Sequence, residues 1–330
     1  MKRPGRKPAG RASSATAPGG PCRGSPRKSG PRLGPRSPQY DDQVRVWAVV
    51  PTHNRPSLLR ECLEALQKQT YPIERILVVL NASPPEVKSL LAEFPEVERL
   101  ELEQNEGSAG GFYHGMRRAL EQGADWVWLM DDDGIPHSNA LEKLLEAEQV
   151  TRPWRGPADL LLCRVVWVDG QIHPMNFPLP DWRRPGLLWK AVRYGYLAVR
   201  SGAWTGMLVR SQSILQHGLP NPAYFVWCED LEFSGRVLRR GLGYWVHDSV
   251  VVHKTSQPTA AVGDYGERFF FEARNRVWLL RSKAFGGVGK FYWLLHFMGE
   301  IVAYLWQTRL AGWRTLARGL WAGLTQSPKK

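Results

Sequence analysis

WVWLMDDD, at residues 126–133, is an apolar run followed at once by three consecutive carboxylates. The apolar part has the composition of a fully buried strand, and Gly134, Ile135 and Pro136 then turn the chain. Because like charges repel, three adjacent aspartates indicate a cation beside them. Oxygen ligands at the end of a buried strand suit Mg²⁺ or Mn²⁺, which would in turn hold phosphates. The alternative is an acidic, solvated turn between a strand and a helix.

Three further apolar runs precede this stretch, and each is followed by polar or Gly-rich residues. Strand-like runs at 44–50, 75–80 and 97–102 alternate with helical segments. This β-α-β alternation predicts an α/β fold with a mostly parallel central sheet covered on both faces. The carboxyl ends of such strands share one edge of the sheet, where ligands bind. The turns that meet there are Thr52–Arg55, Asn81–Ser83, Gly107–Gly111 and Asp131–Asp133.

The glycine-rich stretch Gly107–Gly111 is predicted to be a loop that precedes a helix. It lacks the GxGxxG spacing of a dinucleotide-binding fold and follows the third strand instead of the first. The sequence also lacks the Gly-Lys-Ser/Thr signature of a phosphate-binding P-loop. These two nucleotide-binding classes are therefore disfavoured.

The second half predicts further strands near 159–168 and 203–209, and two more, at 244–246 and 249–252, that flank a turn. Residues 170–200 lack periodicity and are predicted to form a long loop, which in a compact domain is usually functional or mobile. Glu229 and Asp230 stand between aromatic residues at the start of a helix. They are either a general base in an apolar setting or acids that favour the helix dipole. His253 ends an apolar strand and is either structural or a metal ligand.

The net charge of +13 comes from an excess of basic residues at the two ends of the chain. Residues 1–39 hold ten Lys or Arg and no acid, and few large apolar residues, so we expect residues 1–40 to be a disordered basic tail. Such a tail favours a membrane surface or another polyanion, but it has no interleaved aromatics that would bind a specific nucleic acid. No apolar segment follows the basic N-terminus, so no signal peptide is expected. Four widely spaced cysteines fit a reducing cytoplasm.

Residues 263–330 are predicted to form a C-terminal helical region after a catalytic domain at 41–262. Residues 269–280 and 291–310 have helical character, and the second segment is strongly apolar but contains His296 and Glu300. Two readings stay open for these helices. They are basic and amphipathic and lie on a membrane surface, or they are core helices that pack on the catalytic domain.

The chain resembles glycosyltransferase family 2, which has the GT-A nucleotide-sugar-binding fold. The matching elements follow the family's order across roughly residues 45–280: VVPTHNR at 49–55, NAS at 81–83, NEG at 105–107 with GGF at 110–112, DDD at 131–133, CED at 228–230, His253, and RN at 274–275. The Asp-rich and Gly-Gly-Phe elements look most similar to galactofuranosyl- and rhamnosyltransferases that build bacterial cell-surface glycans.

The resemblance implies a role for each matching residue. Thr52, His53 and Arg55 would line the nucleotide pocket with Gly110 and Gly111, and Asn81 would lie near the base and ribose. Asp131 would approach the ribose and diphosphate and, with Asp133 and His253, the Mn²⁺ or Mg²⁺ ion. Asp132 would lie near the donor sugar. Asp230 would be the catalytic base, with Glu229 beside it.

The expected reaction is metal-dependent transfer of a sugar from a nucleotide sugar to an acceptor hydroxyl, with inversion. The acceptor would be a cell-surface glycan or glycolipid, and the enzyme would lie on the cytoplasmic face of the cell membrane. Two alternatives remain. A nucleotidyltransferase that makes nucleotide sugars would carry a Gly-rich basic loop after the first strand, but residues 51–56 contain no glycine. A non-catalytic polyanion- or membrane-binding module would depend on the basic tail.

Overall fold

The computed structural model describes residues 44–257 and 266–328. The predicted tail at 1–40, and the predicted boundary between residues 262 and 263, lie outside the described residues. Strands and helices alternate through the first half of the described chain. They are β1 (Val46–Thr52), α1 (Pro56–Gln67), β2 (Arg75–Asn81), α2 (Pro85–Leu91), β3 (Glu98–Leu102), α3 (Gly107–Glu121), β4 (Trp126–Leu129), β5 (Gly134–Pro136) and α4 (Ala140–Arg155).

The second half is more irregular and ends in three helices. Its elements are β6 (Leu160–Val166), β7 (Leu179–Pro180), α5 (Pro185–Val192), β8 (Tyr196–Ser201), β9 (Met207–Arg210), α6 (Ser211–His217), α7 (Glu229–Val237), β10 (Gly243–His253), α8 (Phe269–Arg281), α9 (Gly287–Gln307) and α10 (Trp313–Thr325).

A single mixed sheet runs through the described chain in the order β3-β2-β1-β4-β9-β6-β10-β8-β7, and β5 pairs with β10. The first four strands are mutually parallel, as are β6 and β10. Strand β9 lies antiparallel between β4 and β6. Strands β1, β2 and β4 are almost entirely buried, since helices cover both faces of a sheet of this kind. The polar residues that follow these strands therefore lie along one edge.

Two predictions for the second half are wrong. Residues 170–200 are not one long loop, because they contain β7, α5 and β8, each too short to give a clear periodicity. Pro185 begins α5, where its fixed φ suits the first helical turn. The predicted turn between 246 and 249 is a bulge inside the single strand β10, whose pairing with β6 shifts between Val246 and Val250. A bulge keeps the strand direction, so the chain continues to His253.

The glycine-rich stretch is also not a loop, because helix α3 begins at Gly107 itself. The glycines allow close approach instead. A Cβ at Gly111 would lie 2.6 Å from Cβ of Pro51 in β1. At Gly107, where φ is +69°, a Cβ would overlap the backbone carbonyl of Phe225. Helix α3 therefore packs against both the end of β1 and the segment before α7.

Replacement of Gly111 by Ala is expected to destabilise the protein by about 1–3 kcal/mol, because the rigid Pro51 ring cannot yield to the added methyl group. Gly299→Ala is the matched control, since Gly299 is also helical but a Cβ there meets no atom within 4 Å. Helix propensity alone then predicts stabilisation by about 1 kcal/mol. Urea unfolding measures both free energies, and equal effects for the two variants would contradict the close-packing account.

Of the two readings left open by the sequence, packing on the core applies to α8 and α10. Helices α8 and α10 are core helices: Gly319 and Gly323 of α10 pack directly on α8, and the rings of Phe269 and Tyr304 stack at 3.7 Å. Helix α10 was not predicted. Helix α9 buries one stripe of side chains and exposes a second stripe of large apolar side chains on its opposite face. None of the helices described between residues 44 and 328 combines the length and the apolar character that crossing a bilayer requires.

Candidate active site

Pairing of β5 with β10 brings His253 to the three aspartates. Gly134, directly after the aspartates, is the partner of His253 in this antiparallel ladder. The turn itself is closed by a hydrogen bond from the Gly134 N–H to the Asp131 carbonyl at 2.9 Å. The Lys254 N–H donates to the Asp133 carbonyl at 2.9 Å. Residues about 120 positions apart in the chain therefore meet at the edge of the sheet.

Asp131, Asp133 and His253 form a candidate metal-ligand set. One ligand atom from each residue lies within 4.8 Å of the other two. His253 Nε2 is 3.1 Å from Asp133 Oδ1, and His253 Nδ1 is 2.9 Å from Asn176 Oδ1. Two carboxylates and one imidazole are metal ligands that suit Mn²⁺ and can also bind Mg²⁺. These residues therefore fit a divalent cation.

The electrostatics of this set match its geometry. Burial disfavours the charged imidazolium of His253, but the hydrogen bond and charge of Asp133 outweigh it and raise the pKa of His253. Burial likewise opposes ionisation of Asp133, yet the His253 hydrogen bond and charge lower the pKa of Asp133. Burial raises the pKa of Asp131, against the charge of His253. These contacts thus favour the positively charged form of the ring at the place where a cation would bind.

Asp132 faces a different set of partners. Its carboxylate accepts a hydrogen bond from Thr52 Oγ1 at 2.7 Å and pairs with Arg55, which also contacts Asp133. Only 1% of Asp132 is exposed. Burial raises the pKa of Asp132 to about 6, although Arg55 and Thr52 oppose the shift. Asp132 therefore joins the end of β1 to the end of β4 and is not part of the metal-ligand set.

The predicted nucleotide wall lies at the ends of β1 and β2. His53 Nδ1 is 2.8 Å from the Asn81 carbonyl oxygen. Both amide atoms of Asn81 are occupied, because Nδ2 donates to the Gly107 carbonyl and Oδ1 accepts from the Glu106 N–H, each at 2.8 Å. Asn81 thus fixes the start of α3. Gly110 and Gly111 are buried in packing contacts with Glu106 and Pro51.

Glu229 and Asp230 have different surroundings although they are adjacent. Glu229 is buried and accepts hydrogen bonds from Ser108 Oγ at 2.5 Å and from Trp204 Nε1 at 3.2 Å. Asp230 is half-buried and accepts the Leu231 N–H at 2.7 Å. Burial, then the charges of Glu229 and Asp131, raise the pKa of Asp230 well above its usual range. A carboxylate of raised pKa takes up a proton readily, which suits a general base.

Trp204 and Thr205 connect the acid pair to the metal-ligand set. Trp204 donates to Glu229, and the next residue, Thr205, donates a hydrogen bond to the Asp131 carboxylate. The left-handed backbone of Gly206 (φ +76°) follows and leads directly into β9. Two adjacent side chains thus hold the carboxylates of β4 and of α7 in one site.

Sequence reasoning missed four residues of this site: Asn176, Ser108, Thr205 and Trp204 as a hydrogen-bond donor. Asn176 lies in the stretch that was read as a loop, so nothing indicated its contact with His253. Ser108 was counted within the glycine-rich stretch only. A weak signal existed for Trp204 and Thr205, since they directly precede a glycine and a strand.

Comparisons with known proteins show relatives of the chain among glycosyltransferases. The model of the family described as "Glycosyl transferase family 2" matches residues 47–169. The galactofuranosyltransferase GlfT1 of Mycobacterium tuberculosis is 33% identical over 217 residues, which cover 60% of this chain and 66% of that protein. GlfT1 of Mycolicibacterium smegmatis is 30% identical, with 60% and 67% covered.

A solved structure of S. aureus TarS in complex with UDP-GlcNAc shares the fold. It has a TM-score of 0.55 and 16% identity, and the match covers 84% of this chain and 80% of that one. The predicted GT-A fold class and the resemblance to the family are confirmed. The match to the two mycobacterial relatives spans about two thirds of their length.

Proposed function

The chain belongs to glycosyltransferase family 2, and we propose that it transfers a galactofuranose-like sugar from a nucleotide sugar to a hydroxyl group of a glycan or glycolipid. One observation carries the proposal. A set of metal-type ligands (Asp131, Asp133, His253) and an adjacent acid pair (Glu229, Asp230) are joined into one site by Trp204 and Thr205. The first group suits a diphosphate with its cation, and the second suits an acceptor hydroxyl.

The donor is proposed from the relatives and from the side chains of the nucleotide wall at the ends of β1 and β2. The mycobacterial relatives are galactofuranosyltransferases, and the TarS structure holds UDP-GlcNAc. Thr52, His53 and Arg55 at the end of β1 would line the nucleotide pocket. The Arg55 side chain is about half exposed, so its guanidinium can turn from the aspartates to the diphosphate. Asp132, held by Thr52, would stay near the donor sugar.

Asp131, Asp133 and His253 would hold Mn²⁺ or Mg²⁺. When bound, such a cation offsets the negative charge that develops on the leaving diphosphate. For His253 to offer a lone pair from Nε2, its proton must reside on Nδ1. The hydrogen bond from Nδ1 to the Asn176 side-chain oxygen at 2.9 Å supports that tautomer.

Asp230 would act as the general base. Its carboxylate takes the proton from the acceptor hydroxyl while the acceptor oxygen forms a bond to the anomeric carbon. The bond from that carbon to the diphosphate oxygen breaks on the opposite face, and the electron pair leaves with the diphosphate. The anomeric configuration therefore inverts. No covalent enzyme nucleophile is needed, because the acceptor oxygen itself attacks the anomeric carbon. Glu229 is held by Ser108 and Trp204.

A thermal-shift screen tests the proposed donor class. Nucleoside diphosphates and nucleotide sugars, UDP-galactofuranose among them, are added with and without Mn²⁺. Ligands that bind the folded state raise its midpoint of unfolding. We expect a shift with UDP or its sugars that requires the cation. A chain that responds to no nucleotide under either condition would contradict the proposal.

The exposed face of helix α9 supports a peripheral membrane location. Its buried stripe includes Trp293, Phe297 and Tyr304, and Glu300 reaches Arg276 of α8 at 2.9 Å. Its opposite face exposes large apolar side chains. Six of them lie along α9: Val288 88%, Phe291 60%, Leu295 56%, Met298 50%, Val302 64% and Trp306 84% exposed.

Exposed basic residues precede and follow α9 in the chain, although one of them, Arg318, pairs with Glu267. Lys283, Arg309, Arg314 and Arg318 are exposed on or beside α9 and α10. Apolar side chains on one helix face together with neighbouring cations are typical of a helix that lies in the interface of an anionic bilayer. We propose that α9 inserts its apolar face into such a surface and so places the active site near a lipid-linked acceptor.

The double variant Phe291→Ser, Trp306→Ser is expected to lower co-sedimentation with vesicles of anionic phospholipid at least about fivefold, because it removes two large apolar groups from the bilayer contact. Trp189→Ser is the control, since Trp189 is 72% exposed but lies on α5. If the double variant sediments with vesicles as the wild type does, α9 is not the membrane contact.

A further inference from the structure

The segment before the acid pair has a strained backbone. Phe225, Trp227 and Cys228 have φ values of +67°, +66° and +64°, a region that side chains other than glycine rarely adopt. Cys228 directly precedes α7, which starts with Glu229. Such strain persists only where the surrounding structure holds the chain in place. The groups that hold residues 223–227 therefore also fix Asp230.

Every carbonyl from Ala223 to Trp227 accepts a hydrogen bond from another element. The Arg274 guanidinium of α8 donates to the carbonyls of Ala223 and Tyr224 at 3.0 and 2.8 Å. The Ala109 N–H of α3 donates to the Phe225 carbonyl at 3.1 Å. The remaining contacts come from one side chain, because Asn275 Nδ2 lies 2.9, 2.7 and 2.9 Å from the carbonyl oxygens of Tyr224, Val226 and Trp227.

Asn275 is itself fixed in orientation. It has no exposed surface. Its Oδ1 accepts from Arg274 Nε at 2.9 Å, so its amide nitrogen faces the three carbonyls. Arg274 is in turn held over the Trp278 ring, 4.3 Å from the ring centroid. The Phe225 ring stacks on Phe271 of the same helix at 5.0 Å. Helix α8 thus supports the strained segment through side-chain amide, guanidinium and ring contacts.

We propose that Asn275 is the positioning residue for the catalytic base: it holds residues 223–227 in their strained conformation and thereby sets the position of Asp230 toward the acceptor. The proposal rests on the function given above for Asp230. Without the amide, buried carbonyls lose their donor and the segment relaxes toward negative φ. The first turn of α7 then shifts, while the nucleotide wall at the ends of β1 and β2 is unaffected because it makes none of these contacts.

The test compares Asn275→Leu, which keeps the approximate size but removes both N–H donors, with Leu279→Ala. Leu279 lies on the same helix and is 1% exposed, and it clusters with Phe285 and Trp293 and not with residues 223–227, although Leu231 of α7 borders that cluster. Three quantities are measured on the full chain: amide hydrogen exchange in 222–231, turnover with UDP-galactofuranose and an alkyl galactofuranoside, and the affinity for UDP with Mn²⁺.

For Asn275→Leu we expect exchange in 222–231 to accelerate at least tenfold and kcat to fall at least a hundredfold, with the UDP affinity within twofold of wild type. Leu279→Ala should lower thermal stability yet keep kcat within threefold. Should Asn275→Leu not fold, Arg274→Lys, which loses the planar donor set, is expected to show the same pattern with a kcat loss of about tenfold.

Two outcomes would overturn the proposal. One is unchanged exchange and turnover in a folded Asn275→Leu. The other is a loss of UDP affinity equal to the loss in kcat, which would indicate a general structural role. Hydrogen exchange needs no substrate. If wild type transferred no sugar, the proposed function would fail, and the exchange data alone would decide whether Asn275 holds the segment.

Discussion

Asp230→Asn is expected to lower the turnover number by about 10³-fold while UDP binds with Mn²⁺ as in the wild type. A positioned general base typically contributes 10²- to 10⁴-fold to a rate, and an amide cannot accept the proton of the acceptor hydroxyl. The raised pKa of Asp230, caused by burial and by the charges of Glu229 and Asp131, makes its carboxylate a strong proton acceptor. Initial rates and calorimetric titration with UDP separate the two effects.

Asp248→Asn is the control for this experiment, because Asp248 lies at the exposed bulge of β10 and touches neither end of the site. Its turnover should match that of wild type. Glu229→Gln is expected to lower turnover less than Asp230→Asn does. Glu229 accepts hydrogen bonds from Ser108 and Trp204, and an amide oxygen can still accept these in part. Near-normal turnover of Asp230→Asn would remove Asp230 as the base.

The second large effect is expected for Asp133→Ala, which should abolish the dependence of UDP binding on Mn²⁺ and weaken Mn²⁺ binding by about 100-fold or more. Loss of even an outer partner of a metal ligand costs 10- to 100-fold in affinity, and Asp133 is proposed to contact the ion directly. The same change also removes the partner that lies 3.1 Å from His253 Nε2. Calorimetry with Mn²⁺, in the presence and absence of UDP, measures both affinities.

Asp132→Asn provides the matched comparison, since Asp132 is the adjacent carboxylate but contacts Thr52 and Arg55. It should retain most of the affinity for Mn²⁺. If Asp133→Ala binds UDP with the same affinity with and without Mn²⁺, and wild type does likewise, the assignment of the metal site is wrong. If Asp132→Asn has the larger effect, the roles of the two aspartates must be exchanged.

The first half of the fold could be predicted because the apolar runs of β1, β2 and β4 alternate regularly with helices. The carboxylates at 131–133 follow β4 as expected, and the ends of β1 and β2 lie beside them. The meeting of His253 with Asp133 could not be derived in this way. It depends on β5, three residues that read as a turn, and on their antiparallel pairing with β10. Pairing between distant strands leaves no periodic signal in either segment.

The different surroundings of Glu229 and Asp230 were equally hidden in the sequence. Both are helix N-terminal acids next to aromatic residues, so local pattern alone gives them the same environment. The structure separates them through Ser108, which belongs to α3, and Trp204, which precedes β9. The glycine-rich stretch was misread because glycines usually indicate a loop, whereas here they allow α3 to approach β1 and the Phe225 carbonyl. Tertiary packing decided both cases.

The configuration of the newly formed glycosidic bond tests the central claim most directly. The wild-type protein is incubated with Mn²⁺, an alkyl galactofuranoside and the nucleotide sugar selected by the thermal-shift screen, and the anomeric proton of the first product is observed by NMR. One base at Asp230 and a separate diphosphate site predict a single displacement, so the product should have the anomeric configuration opposite to that of the donor. A product that retains the donor configuration would contradict the account.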